Sequence, residues 1–305
     1  MNYQDIMENR SSESLHPSQA HTLTENEQKK HVVEKFNGVN FEVYAYSKAG
    51  HNKNTNFDNF YCNKNYMKGF KYVDFKKSAQ IYENNCIFAV CTGEGDEDEA
   101  DEACKKTLAF LKEQESFILE IPTVIAVETR LKQFVSLCDR FLRELSAKNN
   151  CRYEVNLLIA IFVEDKIVYI SLGDLLLMRY RNKKAVAINE QVPTLMGSGN
   201  PIELRALGRH TYYHNDTYFL CSKGIKNTVT VDRLGEVLKG SAVNVKELVI
   251  KVIETTIKCG VANSSTCLAV YVNKADKIKA STYIISALCG IITVIDLLII
   301  LTALL

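Results

Sequence analysis

Cys86-Ile87-Phe88-Ala89-Val90-Cys91-Thr92-Gly93-Glu94-Gly95, followed at once by the acidic run Asp96-Glu97-Asp98-Glu99-Ala100-Asp101-Glu102, decides the architecture. The first six residues form an unbroken apolar run of the length and composition of a fully buried strand. The acids that come after the glycines suit the positive end of a helix dipole, so a helix is predicted over residues 96–117. A second is predicted over 124–148, where Val127, Leu131, Phe134, Leu137, Cys138, Phe141, Leu142 and Leu145 recur at helical spacing. A buried strand feeding two long helices sets the middle of the fold.

Strand patterns flank this unit on both sides. Upstream, residues 41–46 alternate and 58–62 are strand-like. Downstream, 156–163 and 166–171 surround a tight turn at Glu164-Asp165, and 175–180 pairs with 185–188 across Asn182-Lys183. Residues 217–221 read as a further buried strand, 243–259 as an amphipathic helix and 266–272 as a last strand. Strands, two helices, a run of strands, then one helix and one strand do not alternate as in a doubly wound fold. The order fits an α+β sandwich.

Composition narrows the function classes. Apolar residues make up 47% of the 305, enough for a core without disulfides. The formal net charge of +1 argues against a nucleic-acid partner. Ten cysteines show no CxxC spacing and no accompanying His pair, so they read as reduced, mostly buried thiols. Residues 1–35 are polar, contain no apolar signal-peptide core, and read as a mobile tail. The folded domain is expected over 36–275, with a basic juxtamembrane linker over 276–282.

The C-terminal segment 283–305 carries one charge, Asp296, in 23 residues. At 1.5 Å per residue it would span roughly 35 Å, enough for a hydrocarbon core of about 30 Å. Lys274, Lys277 and Lys279 precede it and favour a cytoplasmic N-terminal side. The expectation is a single-pass tail anchor in a membrane, with the domain in the cytoplasm. Asp296 reads equally as a contact with a partner helix or as one tolerated acid.

Several separated segments resemble the metal-dependent (PPM, or type 2C) Ser/Thr protein phosphatases, in that family's order. Gly50-x-x-Lys53-x-x-Asn56-Phe57-Asp58 is similar to GxxRxxNED, and Phe88-Ala89-Val90-Cys91-Thr92-Gly93-Glu94-Gly95 to FAVxDGxG. Ile170-Ser171-Leu172-Gly173-Asp174 resembles the GDS segment, and Leu204-Arg205-Ala206-Leu207-Gly208 resembles TRALG. Tyr218-Phe219-Leu220-Cys221-Ser222-Lys223-Gly224 is similar to FLLLxSDG, and Asn263-Ser264-Ser265-Thr266-Cys267-Leu268-Ala269-Val270 to the closing DNxTxxVV strand. The resemblance implies two antiparallel sheets packed face to face and flanked by helices.

In that family, phosphoester hydrolysis uses water held between two divalent cations, which need oxygen ligands and several negative charges. At the places of the family's acids this chain has Phe57, Thr92, Lys223 and Asn263, with Asp58 as the one acid kept. The resemblance therefore implies a pseudophosphatase, with no cofactor expected. The alternative is a divergent Ser/Thr phosphatase with an altered site, using Mn or Mg. Gly93 and Gly224 remain, consistent with backbone geometry that only glycine adopts easily.

Lys223 is expected to take the space of the lost cations and pair with Asp58. Lys53 stands where the family binds phosphate with Arg, keeping the charge but losing the bidentate fork. Lys53 and Lys223 would suit a phosphorylated peptide, and read equally as surface charges. Glu94 and Asp96 are weak candidates for substitute metal ligands. The expected role is signalling: a regulatory module that binds a phosphoprotein or a protein kinase.

Overall fold

The computed structural model describes residues 39–50, 55–69, 73–83, 85–240 and 244–274. The expected tail over 1–35, Lys53, the linker over 276–282 and the anchor over 283–305 with Asp296 lie outside these residues. Among the described residues no helix is long and apolar enough to cross a membrane.

Two antiparallel sheets carry the fold. The first holds six strands: β1 (Val39–Lys48), β3 (Asp74–Ile81), β7 (Leu176–Arg181), β8 (Lys184–Ala187), β10 (Thr217–Cys221) and β11 (Ser265–Lys274), in the spatial order β3-β1-β11-β10-β7-β8. The second holds β2 (Asp58–Cys62), β4 (Cys86–Glu94), β5 (Glu154–Val163), β6 (Lys166–Leu172) and β9 (Leu207–Thr211), in the order β2-β4-β5-β6-β9. Helices α1 (Glu97–Leu119) and α2 (Val124–Asn149) pack on the second sheet. Helices α3 (Lys223–Thr228), α4 (Val231–Leu238) and α5 (Val245–Lys258) pack on the first.

Local chemistry explains these elements. Glu97, Asp98 and Glu99 fill the first turn of α1, facing the positive end of its dipole. Thr123 caps α2 by accepting from Ala126 N, and Asn150 closes it in the left-handed conformation with φ 51°. The β7–β8 hairpin turns on Asn182 and Lys183, both at positive φ, as a two-residue hairpin loop requires. Between the sheets, Phe41, Phe60, Phe88, Phe162, Tyr218 and Leu268 form an apolar layer. A second layer lies under α1 and α2 and a third under α3 to α5, giving a helix–sheet–sheet–helix sandwich.

The strand registers fix two ends of this sandwich. Lys48 pairs with Ser265, Asp58 with Thr92, Glu94 with Glu154 and Cys221 with Leu176, so these termini share one end. A hydrogen bond from Phe57 N to Ser264 Oγ, at 3.1 Å, joins the two sheets there. The opposite, distal end carries Val39, Lys274, Ile81, Cys62 and Lys166.

Strands β3 and β9 and helices α3 and α4 go beyond the elements expected from sequence. β3 pairs only with β1 and β9 only with β6, so each is an edge strand with few apolar residues to mark it. The two helices are 6 and 8 residues long, too short for a helical period to show.

Candidate functional site

At the paired end, the start of β2, the close of β4, the loop after β6, the start of α3 and the turn before β11 come together. Asp58 opens β2 and is 1% exposed. Its register partner Thr92 donates from its hydroxyl to Asp58 Oδ1 at 2.6 Å, and Asp58 N donates to Asn56 Oδ1 at 3.0 Å. Asn56 in turn donates to Ser47 Oγ at 2.9 Å, and Ser47 lies 2.5 Å from the Thr266 hydroxyl. Ser222 joins the same knot, accepting from Thr266 N at 2.9 Å. Burial pushes the Asp58 carboxyl above its ordinary pKa, the hydroxyls of Ser222, Thr92 and Thr266 pull it back in part, and Glu94 adds to the rise.

Above this knot lie two ion pairs. Lys223, the first residue of α3, places its Nζ 2.5 Å from Glu94 Oε1, which also accepts from Asn156 Nδ2 at 2.5 Å. Lys226, one helical turn on, donates to Asp174 Oδ1 at 3.0 Å. Burial raises the Asp174 carboxyl, but the hydrogen bond and charge of Lys226, with the charge of Lys223, hold it below the usual range. Asp174 N donates to Asn156 Oδ1 at 2.8 Å, so Asn156 ties the two pairs together.

The partner expected for Lys223 was Asp58; the ion pair is with Glu94 instead. Asp58 sits below, walled in by hydroxyls, while Glu94 projects from the end of β4 at the height of the α3 N-terminus. The reading of the two glycines is corrected too. Gly93 and Gly224 are absent from the positive-φ residues, so conformation is not what requires them. Close approach is: a Cβ at Gly93 would lie 2.1 Å from Ala100 O, and one at Gly224 2.0 Å from Ser264 O.

Asp96 is exposed at the N-cap of α1 and makes no side-chain cap hydrogen bond, so it stays outside the cluster. The rest of the acidic run disperses: Glu99 accepts from Arg152 N, Asp101 pairs with Lys105, and Glu102 accepts from Tyr153. Asn263 is exposed in the turn before β11, beside the buried Ser264. Sequence reasoning missed Ser47, Asn156 and Lys226. Only Lys226 left a signal, its one-turn spacing from Lys223.

The fold matches solved phosphatases closely, at low sequence identity. The chain aligns with an S. agalactiae serine/threonine phosphatase at TM-score 0.62 and 14% identity, over 76% of this chain and 99% of that one. It aligns with PppA, a regulatory component of the T6SS in Pseudomonas aeruginosa, at 0.62 and 16%, over 76% and 97%. It aligns with the catalytic domain of the phosphatase PstP, solved with two manganese ions, at 0.59 and 14%, over 77% and 99%. No family model matches the chain, and no curated protein matches its sequence significantly. The fold is that of the PPM-type Ser/Thr phosphatases.

That fold implies a pair of divalent cations, and the residues present do not fit one. Such a pair needs several converging carboxylates. Here one buried acid is enclosed by hydroxyls, while the ammonium of Lys223 already neutralises Glu94 and that of Lys226 is engaged with Asp174. Among the described residues, no three His, Cys, Asp or Glu side chains are grouped to hold a metal.

Proposed function

We propose that this chain is a degenerate PPM-type phosphatase: a catalytically inactive pseudophosphatase that serves as a regulatory, phosphoprotein-binding module in signalling. The Lys223–Glu94 ion pair supports this reading most directly, because it puts a fixed positive charge among the residues that would face divalent ions. A second cation, Lys226, pairs with Asp174 alongside it. Two lysines within one helical turn form an anion-attracting rim, and a phosphoryl group would compete with the two carboxylates for them. The domain is held at a membrane by residues 283–305 and faces the cytoplasm. The apolarity of that segment and the preceding lysines support this.

The test is turnover of p-nitrophenyl phosphate and of a phosphopeptide by the full chain with Mn²⁺ or Mg²⁺, against Asp58→Ala. Equal background rates are expected. Metal-dependent turnover that Asp58→Ala abolishes would establish the alternative, a divergent metal-dependent Ser/Thr phosphatase. Phosphopeptide binding is read in the same samples by thermal shift, where a ligand at about 100 times its dissociation constant stabilises by roughly 2.7 kcal/mol. That gain should shrink in both Lys53→Ala and Lys223→Ala.

A further inference from the structure

Exposed apolar side chains are not spread evenly over the described surface. Of the eight large ones, five lie at the distal end: Tyr82 at 51% exposure, Phe117 at 38%, Ile121 at 50%, Ile125 at 72% and Tyr213 at 52%. Tyr82 follows the distal end of β3, and Tyr213 sits in the β9–β10 loop over the Arg181 guanidinium. Phe117, Ile121 and Ile125 mark the tip where α1 turns into α2. That tip belongs to the distal end because α1 leaves the site end after Glu94 and runs back along the sheet. Its Glu115 accepts from the hydroxyl of Tyr61, one residue short of the distal terminus of β2. At 1.5 Å per residue, the 23 residues of α1 reach about 34 Å, slightly past the roughly 30 Å of β4.

The chain also leaves the fold at this end. β11 runs from Ser265 beside the site to Lys274 at the distal terminus. Eight residues, 275–282, then separate it from the apolar segment 283–305, and fully extended they reach about 28 Å. On such a tether the distal end stays within about 28 Å of the bilayer if that segment inserts.

We infer that the distal end is a membrane-contacting face, seating Tyr82, Phe117, Ile121, Ile125 and Tyr213 among lipid headgroups and turning the candidate site towards the cytosol. This rests on the membrane reading above. The chemistry fits the occupant: two tyrosines with an apolar ring and a polar tip suit the headgroup level, and two isoleucines and a phenylalanine on a helical tip reach the acyl boundary. Lys274 closes β11 at this end, and in sequence Lys277 and Lys279 follow it ahead of 283–305, a basic run that anionic lipid attracts.

The chain contains no tryptophan, so a single introduced indole reports one position. Full chains carrying Ile125→Trp, or Val73→Trp in the exposed residue before β3 near the site end, are reconstituted into phosphatidylcholine/phosphatidylglycerol vesicles with and without brominated acyl chains. Tyr82→Trp provides a second distal probe should Ile125→Trp misfold. The expected result is a blue-shifted emission quenched at least twofold at the distal positions, with Val73→Trp unquenched. If the chain floats with vesicles but distal and site-end indoles respond alike, the inference is overturned and the anchor reading stands. If the chain does not float, the anchor reading itself fails and the inference with it. A blue-shifted distal indole on chain that stays in the aqueous fraction also overturns it, and assigns the face to residues 283–305 or to a second copy.

Discussion

Two buried carboxylates at opposite ends of the sandwich receive different answers. Asp216, 0% exposed at the distal end, accepts two hydrogen bonds from the Arg181 guanidinium, one from Tyr218 at 2.7 Å and one from Tyr213 N at 2.9 Å. Burial raises its carboxyl, yet the hydrogen bonds of Arg181 and Tyr218 and the charge of Arg181 bring it below the ordinary value. Asp58, as deeply buried, is held by the hydroxyls of Ser222, Thr92 and Thr266, and its carboxyl ends above the ordinary value. The cost of removing a charge from water is met at Asp216 by a cation of the chain itself. At Asp58 neutral donors meet it only in part, while the lysines overhead are engaged with Glu94 and Asp174. The contrast is between a buried charge answered by a fixed cation and one answered by neutral donors.

The largest expected effect is at Asp216. Asp216→Ala leaves a guanidinium that is only 26% exposed facing an empty pocket, and should destabilise the fold by about 3 kcal/mol in urea denaturation. A loss below about 1 kcal/mol would erase the distinction between the two acids. Next, and of opposite sign, Asp58→Asn should stabilise the chain at neutral pH. The sign follows from linkage. A carboxyl whose folded pKa is raised penalises the native state increasingly as pH rises from the usual aspartate value to the raised one, and fully above it. The advantage of Asp58→Asn should therefore vanish in acid. Asp216 behaves conversely: its contribution is complete above the unfolded pKa and lost as pH falls through the lowered folded one. Millimolar Mn²⁺ that stabilises the unmodified chain but not Asp58→Asn would show that an external cation still enters.

The smallest effects are expected at the lysines. Lys223→Met breaks a pair whose side chains are 28% and 27% exposed, and should cost no more than about 1 kcal/mol. Lys226→Met should cost less, because Asp174 is 45% exposed. A loss well above that at Lys223 would mean that Glu94 is charged in a far drier setting than its exposure indicates.

Much of this molecule was legible before its structure. The run from Cys86 to Cys91, the period of α2 and the Asn182-Lys183 turn each carry a local signal, and each lies where that signal puts it. β3 and β9 do not: on the covered face of β3, Lys77 interrupts Phe75, Ala79 and Ile81, and β9 offers only Leu207 as a large apolar residue. The site divides in the same way. That Asp58, Thr92, Gly93, Lys223 and Gly224 gather at one end is what the resemblance of their segments to the PPM motifs implies. That Lys223 chooses Glu94 is not, because the partners lie 129 positions apart and the choice depends on β4 running two residues past its last pairing with β2, at Thr92. Sequence types the charges; only packing assigns the pairs.

Main chain passes directly over Gly93 and Gly224, at Ala100 and at Ser264, so the loops around the site are moulded by backbone pressed on backbone. The frame around positions 223 and 263 is therefore set by main chain rather than by those side chains, while the Thr92 hydroxyl still braces Asp58 from within. Lys223 and Asn263 are thus places where an engineer could refit the pocket by point substitution while the surrounding architecture stands.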